Sequence, residues 1–291
     1  MSDVTNLKQA ENKVECTGYL AEKDIHPGKD NNGRDTLEGY VSIKTDDTNQ
    51  IRFNIRVLAK KNDGTPNPAY ENISKFNDDA KSIADVGAEV ASKVEIRAGQ
   101  LNPYHSAQSN SDVLGYRTSF IGVIRSEDFE PKAQATVELF VQNVLPEMDK
   151  NGEETGRALI KGILVTYNGV EPLTLTVGKD MADEVLNGAI EAGQTFEFFA
   201  DIVNSRVEKK KEIPVRLGKP RIEKIVTYTN ELIMTGCSEP YDDDRAYDRD
   251  AIKLALNERN ERIKSDANKS KGNANGQSKP SGAASGRVAN W

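Results

Sequence analysis

The chain repeats itself. "KVECTGYLAEKD", beginning at Lys13, is echoed by "TVELFVQNVLPEMD", beginning at Thr136, and "GRDTLEGYVSIK" is echoed by "GRALIKGILVTY". Gly33, Arg34 and Gly39 thus recur as Gly156, Arg157 and Gly162. In the same order follow "IRFNIRV" with "PLTLTV", "KVEIRAGQLN" with "TFEFFADIVN", and "RTSFIGVIRSEDFEP" with "TNELIMTGCSEPYD". Five matched segments in one order read as a duplicated unit, so the fold must be one that each half-chain can adopt. At 291 residues there is room for two domains of ordinary size.

Within the first unit, alternating apolar and polar residues predict strands over 14–25, 37–44, 50–58, 93–101 and 116–124. A helix is expected around 78–91. In the second unit the helix falls at 179–192, between strands 173–177 and 196–203, and Asp78 and Asp180 are the candidate caps. Three strands, a helix and two more strands is the order of the OB-fold, a small, partly open Greek-key barrel. A ferredoxin-like unit would open on a βαβ crossover, and an immunoglobulin-like sandwich would need about seven strands and no helix. The expected fold class is mostly β: two tandem OB-fold barrels, over 12–130 and 134–240. An acidic linker and short C-terminal helix follow over 241–265, then a disordered tail over 266–291. The repeat aligns Tyr40 with Ile163, which reverses the inward–outward phase and predicts a bulge near Gly39 or Gly162.

An OB-fold offers ligands the face of its second and third strands, rimmed by the 1–2 and 4–5 loops. In "GYVSIKTDDTNQIRFNIRV" the apolar set Ile51, Phe53, Ile55 and Val57 falls on one face, and Arg52, Asn54 and Arg56 fall on the other. Single-stranded nucleic acid needs cations along its phosphates and flat side chains beneath its bases. Lys44, Arg52 and Arg56 supply the charge, Asn54 a hydrogen-bonding group and Tyr40 a stacking surface. Lys29 and Arg34 lie in the 1–2 loop, Arg97 on the outward phase of strand four, and Tyr104, His105 and Tyr116 around the 4–5 loop. A solvated sheet face is polar in any case, and Lys and Arg solubilise such faces in proteins that bind nothing.

The second unit departs from this pattern. Its third strand presents Thr174 and Thr176 outward with no charge, and its fourth presents Glu197, Phe199 and Asp201. Its basic residues, Lys209, Lys210, Lys211, Arg216, Lys219 and Arg221, gather in the 4–5 region, as a solvated ribbon or as a rim that closes over a strand.

Net charge is −7, yet 206–224 holds eight basic residues against three acidic ones, and "SEPYDDDRAYDRD" is acidic. Phosphates respond to a local field screened over about 10 Å, so the total excludes little. Catalysis finds no support. His26 and His105 sit in predicted loops without partners at a catalytic spacing, and there is no phosphate-cradling Gly-x-x-x-x-Gly-Lys-Ser/Thr run. Asp46-Asp47, Asp78-Asp79 and Asp242-Asp243-Asp244 read as solvated loops or helix starts rather than metal sites, and no cofactor is expected. Cys16 and Cys237 form neither a metal pattern nor a disulfide framework, which suits a reducing cytoplasm. No run of 18 or more apolar residues suggests a membrane span, and "MSDVTNLKQAENK" lacks the shape of a secretory signal.

Ile252, Leu256 and Ile263 approach helical spacing and predict a short docking helix. The stretch after it is rich in Ser, Gly, Asn and Lys, with little to bury. It ends on Trp291, the chain's one tryptophan and a candidate anchor for a partner protein.

The doubled pattern with "TGRALIKGILVTY" and "SEPYDDDRAYD", trailed by a low-complexity tail, resembles single-stranded DNA-binding proteins of phages of Gram-positive bacteria. The resemblance covers about 12–265 and implies a sequence-nonspecific single-stranded DNA-binding protein. Its expected role is phage DNA replication or recombination in the cytoplasm of an infected host, with partner proteins recruited through the tail. RNA stays open as a ligand, because discrimination rests on contacts to the 2′-hydroxyl. The alternative is a protein-binding or virion structural scaffold that takes no nucleic acid.

Overall fold

The computed structural model describes residues 7–126, 128–213, 221–242 and 244–274 and, at 209–212, 221–222 and 268–274, the backbone alone. The expectation of a mostly β chain with a C-terminal helix holds. In chain order come β1 (Asn12–Lys29), β2 (Asp35–Lys44), β3 (Gln50–Leu58), α1 (Pro68–Asp79), α2 (Ile83–Val86) and β4 (Lys93–Leu101). Then follow β5 (Tyr104–Ser106), β6 (Ser111–Val113), β7 (Tyr116–Thr118) and β8 (Ile121–Val123). The second half contributes β9 (Lys132–Met148), β10 (Glu154–Thr166), β11 (Gly169–Val177), α3 (Lys179–Glu184), β12 (Thr195–Ile213), β13 (Arg221–Cys237) and α4 (Arg249–Ala274).

Strand pairing returns to its start twice. β1 pairs with β2, β2 with β3, β3 in parallel with β7, β7 with β4, and β4 with β1. Likewise β9 pairs with β10, β10 with β11, β11 in parallel with β13, β13 with β12, and β12 with β9. The two cycles share one sheet through a ladder between β1 and β9, from Asn12 opposite Val137 to Thr17 opposite Lys132. Inward residues alternate as the sequence predicts. Val41, Ile43, Ile51, Phe53, Ile55 and Val57 are buried in the first cycle, and Ala158, Ile160, Leu175 and Val177 in the second.

The first helix lies earlier than expected. Asn67 accepts from the Ala69 N–H at 3.1 Å, Pro68 takes the first helical position with φ already suitable, and Ala69, Ile73 and Phe76 bury one stripe. Asp78 therefore stands in the last turn, and 83–86 is a separate short helix capped by Ser82. In the second half the cap position is Gly178, with Asp180 in the first turn. The helix passes into a π turn at 185–189 and ends after Gly188, whose φ of 103° few other residues adopt. The expected strand 116–124 is broken at Ser119–Phe120, with β7 joining β3 and β4, and β8 joining β4 alone. α4 runs to Ala274, into the stretch expected to be a structureless tail.

The phase break is at Gly162, where β10 slips against β9, but in the first half it lies in β1 between Leu20 and Glu22, not at Gly39. Gly39 serves another purpose. Its φ is 139°, and an added Cβ would collide with the carbonyl oxygen of Asp24 on β1.

Candidate nucleic-acid interface

Register across the first cycle lines up one transverse row on its outer surface. Tyr40 lies opposite Asn54, Asn54 beside Arg117 and Arg117 opposite Gln100, so four strands each contribute one polar or aromatic side chain. Above and below Asn54 on β3 stand Arg52 and Arg56, both exposed. Arg52 lays its guanidinium over the Tyr40 ring, 3.4 Å from the centroid. The Tyr40 hydroxyl donates to Glu22 Oε1 at 2.7 Å, and that hydrogen bond holds the phenol above its ordinary pKa. Tyr40 is thus a fixed pedestal with a cation already resting on it.

Most cations of the surface have carboxylate neighbours. Lys44 pairs with Asp47 at 3.1 Å, Arg56 with Glu38 at 3.2 Å, Lys29 with Asp35 at 3.1 Å, Arg34 with Asp30 at 2.7 Å, and Arg97 with Glu95. Such exposed pairs hold about 0–1 kcal/mol each, so a phosphate can displace them at small cost. Arg52 and Arg117 differ. Among the described residues neither has a carboxylate partner, and Arg117 instead donates its Nε to Gln100 Oε1 at 3.0 Å. On the parallel pair β3 and β7, Arg52 stands two residues before Asn54, which is the partner of Arg117.

The structure corrects two expected positions and leaves others outside its scope. Tyr116 is 2% exposed, packed against Phe53 with ring centroids 5.8 Å apart, and its hydroxyl donates to Asn230 at 3.2 Å. Burial pushes its phenol well above the usual range, and a base cannot reach the ring. Arg117, one residue on, takes the outward place. Inward packing of an aromatic in "YRTSF" was the signal that could have found it, since its neighbour must then face out. Tyr104 is exposed on the β5–β6 hairpin, while His105 beside it pairs with Asp112 at 3.1 Å. Thr176, expected outward, is buried where β11 meets β13, whereas Thr174 is exposed. Lys209, Lys210 and Lys211 lie on β12 of the long β12–β13 ribbon, opposite Ile225, Lys224 and Glu223, with their side chains outside the described residues. Arg216 and Trp291 also lie outside the described residues.

Nearer its root the ribbon carries Arg206 directly opposite Tyr228, which is 73% exposed. The β2–β3 turn docks there: Arg206 N–H donates to Thr48 O at 3.1 Å, and Asn49 Nδ2 donates to Ile202 O at 3.0 Å. Arg206 and Tyr228 therefore lie next to the β2–β3 turn; sequence reasoning counted Arg206 in the basic run 206–224 without giving it a site and did not single out Tyr228.

Part of the corresponding face of the second cycle, at Glu171 of β11 and the β10–β11 turn, is covered by α4, while Thr174 stays exposed. Ile252 and Ala255 of α4 are buried, and Arg262 donates to the carbonyl of Asn168 in the β10–β11 turn at 3.0 Å. The β5–β6 hairpin faces β11 across a groove lined by Asp112, Leu114, Pro172 and Thr174. Arg259, 5% exposed, binds Glu171 of β11 and Asp112 of β6 together.

Among the described residues no group of acidic, His or Cys side chains is arranged to hold a metal ion, and no helix is long and apolar enough to cross a membrane. A family model described as YorF matches residues 10–269. No curated protein matches the chain. Solved structures with similarity include the wild-type single-stranded DNA-binding protein from Thermus aquaticus, at 12% identity and a TM-score of 0.46, covering 81% of this chain and 95% of that one. A deletion variant of the same protein shows 13% identity and a TM-score of 0.46, over 81% and 97% of the two chains.

Proposed function

We propose that this chain, which belongs to the YorF family, binds single-stranded DNA across the outer face of β2, β3, β7 and β4. The observation that carries the reading is the pair Arg52 and Arg117, two guanidiniums without carboxylate partners among the described residues, Arg117 in one row with Tyr40 and Asn54 and Arg52 stacked on Tyr40 beside it. The two guanidiniums offer charge to the phosphates of a bound strand, and the flat Arg52–Tyr40 stack offers a surface to a base.

On this reading each strand cycle is an OB-fold barrel, the first over 12–130 and the second over 134–240. Support comes from the parallel contact of third and fifth strands that closes each ring. The first barrel grips the strand. The ribbon, with Arg206, Tyr228 and the lysines beyond them, extends the path, and the second barrel anchors α4. The protein acts as a binding protein, not an enzyme, in phage DNA replication or recombination in the host cytoplasm, and Trp291 of the tail recruits partner proteins.

Fluorescence anisotropy of a labelled oligo-dT of about thirty nucleotides tests the reading at low and moderate salt, with duplex DNA and oligo-U as competitors. Tight, salt-sensitive binding that duplex scarcely displaces is the expected result. Flat anisotropy at micromolar protein in low salt would refute it and turn attention to a protein partner. Displacement by oligo-U as readily as by oligo-dT would make the ligand single-stranded nucleic acid of either sugar.

A further inference from the structure

Beside the row, the first cycle opens a cleft of about 400 Å³ between β3, β4 and β7, lined by Asn54, Arg56, Gln100, Asn102, Arg117 and Ser119. On a chain of net charge −7, none of the described residues lining this cleft is acidic. Its size lies within the range of about 300–1,000 Å³ typical of small-ligand pockets. Three carboxamides and two guanidiniums converge there. A carboxamide presents a donor and an acceptor side by side, which matches the edge of a nucleobase, and a guanidinium matches a phosphate. The bond from Arg117 Nε to Gln100 Oε1 fixes the order within the cleft, because an amide that accepts through its oxygen keeps its nitrogen for donation.

We propose that this cleft takes one nucleotide of the bound strand, with its phosphate on Arg117 and Arg56 and its base edge among Asn54, Gln100 and Asn102. The inference rests on the single-stranded DNA reading and adds base preference to it. Stacking on Arg52 and Tyr40 tolerates every base, since all have a π-face. Paired donors and acceptors do not, since each base edge has its own pattern. One position of the strand is therefore read, and binding is not uniform across sequences.

The test compares homopolymers of dT, dC and dA, each about thirty nucleotides long, by anisotropy against the parent, Gln100→Ala and Arg117→Ala. Melting by circular dichroism establishes that the variants are folded, which the exposure of Arg117 favours. The parent should rank the homopolymers with a spread of about fivefold or more. Gln100→Ala should shrink that spread to about twofold while retaining binding, and Arg117→Ala should weaken all of them about tenfold. A parent that binds all three alike, or a Gln100→Ala variant that keeps the parent's spread, overturns the cleft and leaves the wider reading standing. An Arg117→Ala variant that binds like the parent overturns the cleft and also removes half of the pair on which the wider reading rests. A parent that binds none of them overturns both.

Discussion

Arg259 of α4 donates its Nε to Glu171 of β11 across 2.7 Å. A terminal nitrogen of the same guanidinium reaches Asp112 on β6, so one buried cation ties the C-terminal helix to both halves of the chain. Burial alone would raise Asp112, but the hydrogen bonds from Arg259 and His105 outweigh it and hold the carboxyl below its ordinary value. Arg259→Met keeps much of the volume and removes the charge. Glu171 would keep Arg262 at 3.7 Å and Asp112 would keep His105 at 3.1 Å, so we expect a loss of about 2 kcal/mol, below the range for leaving a buried charge unpaired. Urea unfolding of the two proteins measures it. A loss below about 1 kcal/mol would mean that α4 is held by Ile252 and Ala255 with little help from the ion pairs.

The stack of Arg52 on Tyr40 makes two substitutions at one residue behave differently. Tyr40→Phe keeps the ring and removes the bond to Glu22, so oligo-dT affinity should change by less than about twofold. Tyr40→Ala removes the pedestal and frees Arg52, and should cost about 1–3 kcal/mol of binding. Arg52→Lys keeps the charge without the plane and should fall between them. Equal effects from Phe and Ala would assign the role to the hydroxyl, against the stack.

Much of this face is legible in the sequence. The alternation in "QIRFNIRVL" places Arg52, Asn54 and Arg56 outside and Phe53 inside, as the structure has them, and the strand over 93–101 is read with its ends in place. Local signals suffice there because one face is buried and register is tightly specified. The helix is misread because the acidic start of "DDAKSIADV" competes with the cap at Asn67-Pro68, and tertiary burial of Ile73 and Phe76 decides for the latter. Tyr116 is expected at the ligand face and Arg117 is passed over because β7 is three residues long, too short for alternation to fix its phase. The second unit's departure shows in the sequence as missing charge at Thr174 and Thr176, while the docking of α4 through Arg259 on Glu171 and Asp112 depends on contacts distant along the chain.

Tyr116 separates structural from binding effects. Tyr116→Phe loses the hydrogen bond to Asn230 and should cost about 1 kcal/mol of stability with oligo-dT affinity unchanged. Tyr116→Ala leaves a cavity against Phe53 and should cost about 3–5 kcal/mol. Affinity corrected for the folded fraction should still match the parent. Loss of affinity in the Phe variant at full folding would place this tyrosine back in the interface.

Salt dependence should distinguish free from paired cations. Replacing Arg52 and Arg117 together by Ala removes two phosphate contacts, and the slope of log K against log salt should flatten by about 1.4. Lys44 and Arg56 stand beside Asp47 and Glu38, so the double Ala replacement there should flatten it less. Equal slopes from the two pairs would show that the carboxylate neighbours do not hold these cations back.

The ladder joining the two cycles has a carboxylate at its centre. Glu15 on β1 accepts from Lys13, and from Lys132 of β9 at 2.7 Å, and these hydrogen bonds, that from Lys13 foremost, lower its pKa to about 2. A carboxyl depressed in the folded state binds fewer protons there than in the unfolded chain. Its contribution is therefore complete above its ordinary value of 4.5 and is lost as pH falls from there toward about 2. Urea midpoints of the parent and of Glu15→Gln, taken at about pH 6 and about pH 3, test this. The parent should be the more stable at the higher pH and lose more of its midpoint on acidification, while Glu15→Gln should change less across the same interval. Parallel losses would show that the carboxylate at the β1–β9 ladder does not contribute, and that the junction rests on its backbone pairing from Asn12 to Thr17.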